Sequence, residues 1–130
     1  MPSLDTNILL RIILRDNSAQ LKAAKLLLAR HDVFAVADLA VVELEYILTG
    51  YYGYSRQQFN DIVTKLLISN QHITANRQLF ERALKLYLKH PTESFDDCCL
   101  AVYAKLNKHT PLYTFDKKMA RDLPWVELVA

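Results

Sequence analysis

Asp5, Glu43, Asp97 and Asp116 are the residues whose type and placement suit chemistry. Asp5 follows Ser3-Leu4, Asp97 opens a helical stretch, and Asp116 follows Leu112-Tyr113-Thr114. Each therefore stands where a strand hands over to a helix or where a helix begins. In a parallel sheet such junctions share one edge, and ligands sit beyond the carboxyl ends of the strands. Each of the three also has a plainer role open to it. Aspartate is a favoured helix cap, and an acid in a first turn suits the helix dipole. Ser94 with Asp97 three residues on fits a loose capping box. Glu43 is different. On a helical wheel at about 100° per residue, Asp38, Glu45 and Thr49 fall on one side. Glu43 falls nearly opposite, among Leu39, Ala40, Tyr46 and Ile47. The expectation is that Glu45 faces solvent and Glu43 the packed side. An isolated carboxylate there is costly unless it is paired with Arg or Lys, hydrogen-bonded, protonated or metal-bound. Several carboxylates at one place repel and raise each other's pKa unless a cation joins them. Hard cations such as Mg²⁺ and Mn²⁺ prefer such oxygen ligands. The chemistry that follows is metal-assisted hydrolysis of a phosphodiester, with activation of water and stabilisation of phosphoryl charge.

Short apolar runs alternating with longer helical stretches would have to position these acids. Pro2 to Leu4 is a stub of strand. Helices are expected over Thr6–Arg15, Ser18–Arg30, Asp38 (as N-cap) to about Leu48, Ser55 (as cap) to about Ile68, Asn76–Lys89, Ser94 to about Asn107, and Asp116–Asp122. Strands are expected over Val33–Val36, His72–Thr74, Pro111–Thr114 and Trp125–Val129. This alternation points to a parallel sheet covered on both faces. There is no internal repeat and no domain boundary, so residues 1–130 are read as one domain.

Composition narrows the class. A chain of 130 residues, 52% apolar, can bury roughly two-thirds of its unfolded surface without staples. Two Gly and four Pro, in no biased tract, argue against disorder. Cys98 and Cys99 are adjacent, which provides no disulfide framework and suits a reducing compartment; they read as packing. The opening residues lack a signal-peptide pattern, and no apolar run approaches the ~18 residues of a membrane helix. A cytoplasmic protein with no membrane role is expected. His31, His72, His90 and His109 lack ligand spacing, and Trp125 is expected in the core.

Four segments resemble the acidic motifs of PIN-domain nucleases, in order along nearly the whole chain. Leu4-Asp5-Thr6-Asn7-Ile8-Leu9-Leu10 resembles the opening motif, and Val41-Val42-Glu43-Leu44-Glu45-Tyr46-Ile47-Leu48 the second. Phe95-Asp96-Asp97-Cys98-Cys99-Leu100-Ala101 resembles the third, and Leu112-Tyr113-Thr114-Phe115-Asp116 the fourth. The length resembles the VapC-like toxins of type II toxin–antitoxin modules. The resemblance implies a three-layer α/β/α sandwich with a central, mostly parallel sheet of four to five strands. It implies Mg²⁺- or Mn²⁺-dependent cleavage of RNA, a homodimer, and a small antitoxin covering the acidic cleft. Asp96 stands where the third motif usually has a small residue, so two neighbouring acids compete; motif register favours Asp97.

On this reading Asp5, Glu43, Asp97 and Asp116 hold the metal. Thr6, Asn7, Thr114 and Asp96 would orient carboxylates or water. Water would attack phosphorus in line and leave a 5′-phosphate and a 3′-hydroxyl. The net charge of +2 becomes +6 once the four acids are set aside, since ten others face sixteen bases. Arg11, Arg15, Lys117, Lys118 and Arg121 follow acidic motifs and are candidate phosphate contacts, although each also suits a solvated helix face. Tyr51, Tyr52 and Tyr54 suit packing or a dimer contact, or base stacking. Two other functions stay open: a housekeeping PIN nuclease without an antitoxin, and an inactive binding or scaffold module on the same fold. A haloacid-dehalogenase-like phosphatase would need a second Asp at position 7, which is Asn, and a phospho-receiver domain would need paired acids where only Asp5 stands.

Overall fold

A computed structural model describes Met1–Ala130. The chain divides into two compact units, Met1–Asn76 and Arg77–Ala130.

The first unit contains α1 (Thr6–Leu14), α2 (Ser18–Leu28), β1 (Phe34–Ala35), α3 (Asp38–Glu45), α4 (Arg56–Val63) and β2 (Ile73–Thr74). Strand β1 lies between the chain start and β2. Ser3 bridges Ala35 in parallel, Leu4 N–H donates to the Ala35 carbonyl at 2.9 Å, and Phe34 pairs Ile73 in parallel register. Parallel strands need helical crossovers between them, which α1, α2, α3 and α4 supply. Leu4, Leu9, Phe34, Val41, Leu44 and Phe59 are buried in the core. Helices α3 and α4 each run on into a π-helical stretch, Tyr46–Tyr51 and Thr64–Ile68, where the looser turn shifts the helix face. Gly53, at φ +71°, turns the chain toward α4, a conformation without steric cost only for glycine. The Ser55–Gln58 capping box then starts α4.

The second unit contains α5 (Arg77–Lys89), α6 (Phe95–Leu106), β3 (Leu112–Thr114), α7 (Lys117–Asp122) and β4 (Val126–Leu128). Strands β3 and β4 pair in parallel, Leu112 opposite Val126 and Thr114 opposite Leu128. Phe95 closes α6 onto α5, packing edge-on to Tyr87 and stacking with Phe80 at 6.3 Å. Cys98 and Cys99 are buried free thiols, as expected of packing residues.

The expected elements all occur, with shorter ends and four differences of substance. Asp38 is not the cap of α3. Ala37 takes that position without a side-chain bond, while the Asp38 carboxylate accepts from Asn76 Nδ2 at 3.4 Å. The helices that start at Asp38 and Ser55 are not single α-helical runs; both change to π geometry part-way. The face of α3 is inverted relative to the wheel reading: Glu43 is exposed and Glu45 half-buried. Trp125 is half-buried rather than a core residue, with its indole N–H donating to the Ala101 carbonyl and Lys105 lying over its ring.

Candidate metal centre

Asp5 ends the first strand stub and caps α1. Its Oδ1 accepts from Asn7 N–H at 3.0 Å and Ile8 N–H at 3.2 Å. Oδ2 has no protein partner. The plain capping role and an outward-facing oxygen therefore coexist on one side chain. Thr6 is buried, and its hydroxyl reaches the Ala40 carbonyl of α3 at 3.5 Å. Ala40 lies one turn before Glu43, so this contact links the helix start that carries Asp5 to the helix that carries Glu43. Asn7 is exposed and serves the cap through its backbone.

Glu43 shares its face with Leu39, 82% exposed, and Tyr46, 75% exposed. The wheel identifies these companions correctly. It assigns the face to the wrong side, because Val41, Leu44 and Leu48 form the buried stripe instead. Glu45 is half-buried and accepts from the Thr49 hydroxyl at 3.0 Å.

In the second unit, Ser94 Oγ accepts from Asp97 N–H at 3.2 Å, which starts α6. Asp97 is half-buried and Asp96 exposed. Asp116 caps α7, its Oδ1 accepting from Met119 N–H at 3.0 Å. Thr114 Oγ1 accepts from Asp116 N–H at 3.0 Å, so the hydroxyl sets the turn that aims this acid. None of Asp5, Glu43, Asp97 or Asp116 makes an ion pair with lysine or arginine. Within neither unit do three His, Cys, Asp or Glu side chains gather closely enough to hold a cation.

The candidate phosphate contacts separate into two groups. Arg11 is bound to Asp16 at 2.8 Å with its side chain 19% exposed, Arg121 is bound to Asp122, and Lys118 Nζ donates to the Thr92 carbonyl. Arg15 and Lys117 are exposed and make no such bond. Sequence reasoning missed Glu93, which is 1% exposed. Its pKa is raised, first by burial and then by its hydrogen bond with Asp122. The Arg121 guanidinium in turn holds Asp122 down to about 2. No local pattern marks Glu93, since it lies on a loop with no periodicity from which to judge burial.

The PIN domain family model matches residues 3–122. This chain belongs to the PIN domain family. That match establishes the α/β PIN fold, with which the parallel pairings of both units agree. PIN domains are generally divalent-metal-dependent nucleases that act on RNA. A comparison with curated proteins finds no match, and neither does one with solved structures. No helix of this PIN-domain chain is long and apolar enough to cross a membrane.

Proposed function

We propose that the chain is a single PIN domain acting as a Mg²⁺- or Mn²⁺-dependent endoribonuclease, the toxin of a type II toxin–antitoxin pair, working in the cytoplasm as a homodimer. One observation carries this reading: the family match spans Asp5, Glu43, Asp97 and Asp116, and no lysine or arginine neutralises any of them. Four carboxylates are a donor set suited to a hard divalent cation. When bound, that cation supplies water activation and balances charge on the phosphoryl oxygens. Asp5 and Asp116 spend Oδ1 on their caps, which orients the carboxylate and leaves Oδ2 for the ligand role. Thr114 holds the Asp116 turn, and Thr6 braces the start of α1 on α3. The half-buried position of Asp97, beside the Ser94 cap, favours it over exposed Asp96 as the ligand. Arg15 and Lys117, exposed and bound to no protein group, are the bases free to meet RNA phosphates.

The toxin assignment draws support from apolar surface beside the acids. Leu39 and Tyr46 flank Glu43, and Phe115, 81% exposed, precedes Asp116. A protein partner covering Glu43 would bury Leu39 and Tyr46. Buried free thiols suit the cytoplasm.

The test is cleavage of single-stranded RNA by the purified protein. Cleavage should stop with EDTA, return with Mn²⁺, and be abolished in Asp5→Asn, whose amide still caps α1. Full metal-independent activity in Asp5→Asn overturns the nuclease centre. Growth arrest on expression, relieved by a small protein encoded beside the gene, supports the toxin role; its absence favours an RNA-processing nuclease.

A further inference from the structure

A cavity of about 490 Å³ enters the first unit between its strands and helices α1 and α2. That volume lies within the roughly 300–1,000 Å³ typical of small-molecule sites. Its depth and its mouth differ in chemistry. Leu4, Leu9, Phe34 and Ile73 line the depth and are buried, each at most 5% exposed. Such walls offer water no hydrogen bonds, so an apolar body is favoured there. Ala29, His31, Asp32 and His72 form the exposed part of the lining. His31 packs edge-on to Phe34 with ring centroids 5.5 Å apart, so aromatic surface runs from the mouth into the depth.

The mouth is held in shape by bonds between two loops. His72 Nδ1 lies 3.0 Å from the carbonyl oxygen of Asp32, 40 residues earlier. A carbonyl only accepts, so Nδ1 donates, and Nε2 of the neutral ring is left as an acceptor. His72 N–H donates to Asn70 Oδ1 at 2.9 Å, and Phe34 N–H donates to the His72 carbonyl at 2.9 Å. No lysine or arginine lines the cavity, and with histidine neutral Asp32 is its one formal charge. The Asp32 carboxylate makes no ion pair. A carboxylate beside an imidazole acceptor calls for a hydrogen-bond donor, and a cationic donor suits the charge.

This mouth is separate from the acids. His31 and Asp32 precede β1, and Asn70 and His72 precede β2. Parallel strands start at one edge of their sheet, so the mouth lies at the edge opposite the one where Asp5 follows its strand stub. A neighbouring cavity shares Ile12, Leu66 and Asn70 with this one, but is lined by Arg15 and Lys65 and by no acid. Its charge suits anions, so the sign of a ligand's charge distinguishes the two.

We infer that this cavity is a binding site for a small arylalkylamine, with its ring in the depth against Phe34 and its ammonium at the mouth beside Asp32 and His72. The inference goes beyond the nuclease reading and does not rest on it.

The experiment titrates the full chain with three probes of nearly one shape: phenethylamine, phenethyl alcohol and phenylacetate. Side-chain NMR shifts report where each binds and how tightly. Phenethylamine should shift Leu9, Phe34 and Ile73 and saturate. Phenethyl alcohol should bind about tenfold more weakly, the scale of exchanging a charge-assisted hydrogen bond for a neutral one, and phenylacetate more weakly still. Asp32→Asn should weaken phenethylamine by about the same factor and leave the alcohol unchanged. Ala29→Trp, which sets an indole at the mouth, should abolish the shifts. Both positions are exposed, so neither variant removes a packed side chain. Should Ala29→Trp not fold, Asp32→Asn decides alone. The inference is overturned if phenethylamine gives no saturable shift, if the alcohol or phenylacetate binds as tightly, or if either folded variant keeps wild-type affinity for the amine. Shifts at Tyr54 and Ile62 in place of Leu9 and Ile73 overturn it too, because they put the amine in the neighbouring cavity.

Discussion

Asp116 caps α7, and on the proposed reading it also holds the metal, two roles that substitution can separate. Asparagine caps a helix about as well as aspartate, whereas alanine does not. Asp116→Asn should leave the thermal midpoint nearly unchanged yet lower RNA cleavage by at least about a hundredfold, the scale of losing a group that acts on the reacting centre. Asp116→Ala should lose the same activity and also about 1 kcal/mol of stability. Equal destabilisation by both would mean that the carboxylate charge, rather than the cap bond, supports α7. Asp122 makes the complementary case for pH. Its folded pKa of about 2 lies below its ordinary value, so it binds fewer protons folded than unfolded near pH 3. Its stabilisation is present above the ordinary carboxylate range and is lost as pH falls from about 4 toward 2. Thermal melts of wild type and Asp122→Asn should therefore diverge above that window and converge below it.

Helix α3 decides which way Glu43 faces, and mutation can check that decision directly. Leu44 is fully buried and Leu39 is 82% exposed, though both are leucines on the same eight-residue helix. Leu44→Ala should cost about 2–5 kcal/mol, as core truncations do. Leu39→Ala should stay within about 0.5 kcal/mol. Chemical denaturation measures both. The reverse order would return Glu43 to the packed side.

For the whole molecule, a net charge of +2 gives little attraction to RNA by itself, and the distribution of bases matters more. Arg11, Lys118 and Arg121 are already engaged with protein groups. Arg15 and Lys117 remain exposed, so RNA affinity should depend on them more than on Arg11. A double substitution of Arg15 and Lys117 to alanine should weaken RNA binding and flatten its logarithmic salt dependence by about 1.4, roughly 0.7 for each single-strand phosphate that the protein no longer neutralises. Arg11→Ala should leave that slope unchanged. Fluorescence titration of the Asp5→Asn variant, which should bind RNA without cutting it, measures both slopes.

Much of this protein is written locally. The order of helices and strands follows from caps, apolar runs and turn residues, whose physics acts over a few neighbours. The acids at Asp5 and Asp116 are legible for the same reason, since each stands at a helix start that its own neighbours define. The family can be recognised because four such local motifs keep their order along the chain. What the chain order does not contain is direction in three dimensions. The α3 wheel groups Glu43 with Leu39 and Tyr46 but cannot tell which stripe meets the core, because both stripes carry apolar residues. Nor can it mark Glu93, buried on a loop that α7 meets only on folding, where Lys118 donates to the neighbouring Thr92 carbonyl. Local bonding can be read from adjacent residues; burial and charge coupling depend on groups that only folding brings together.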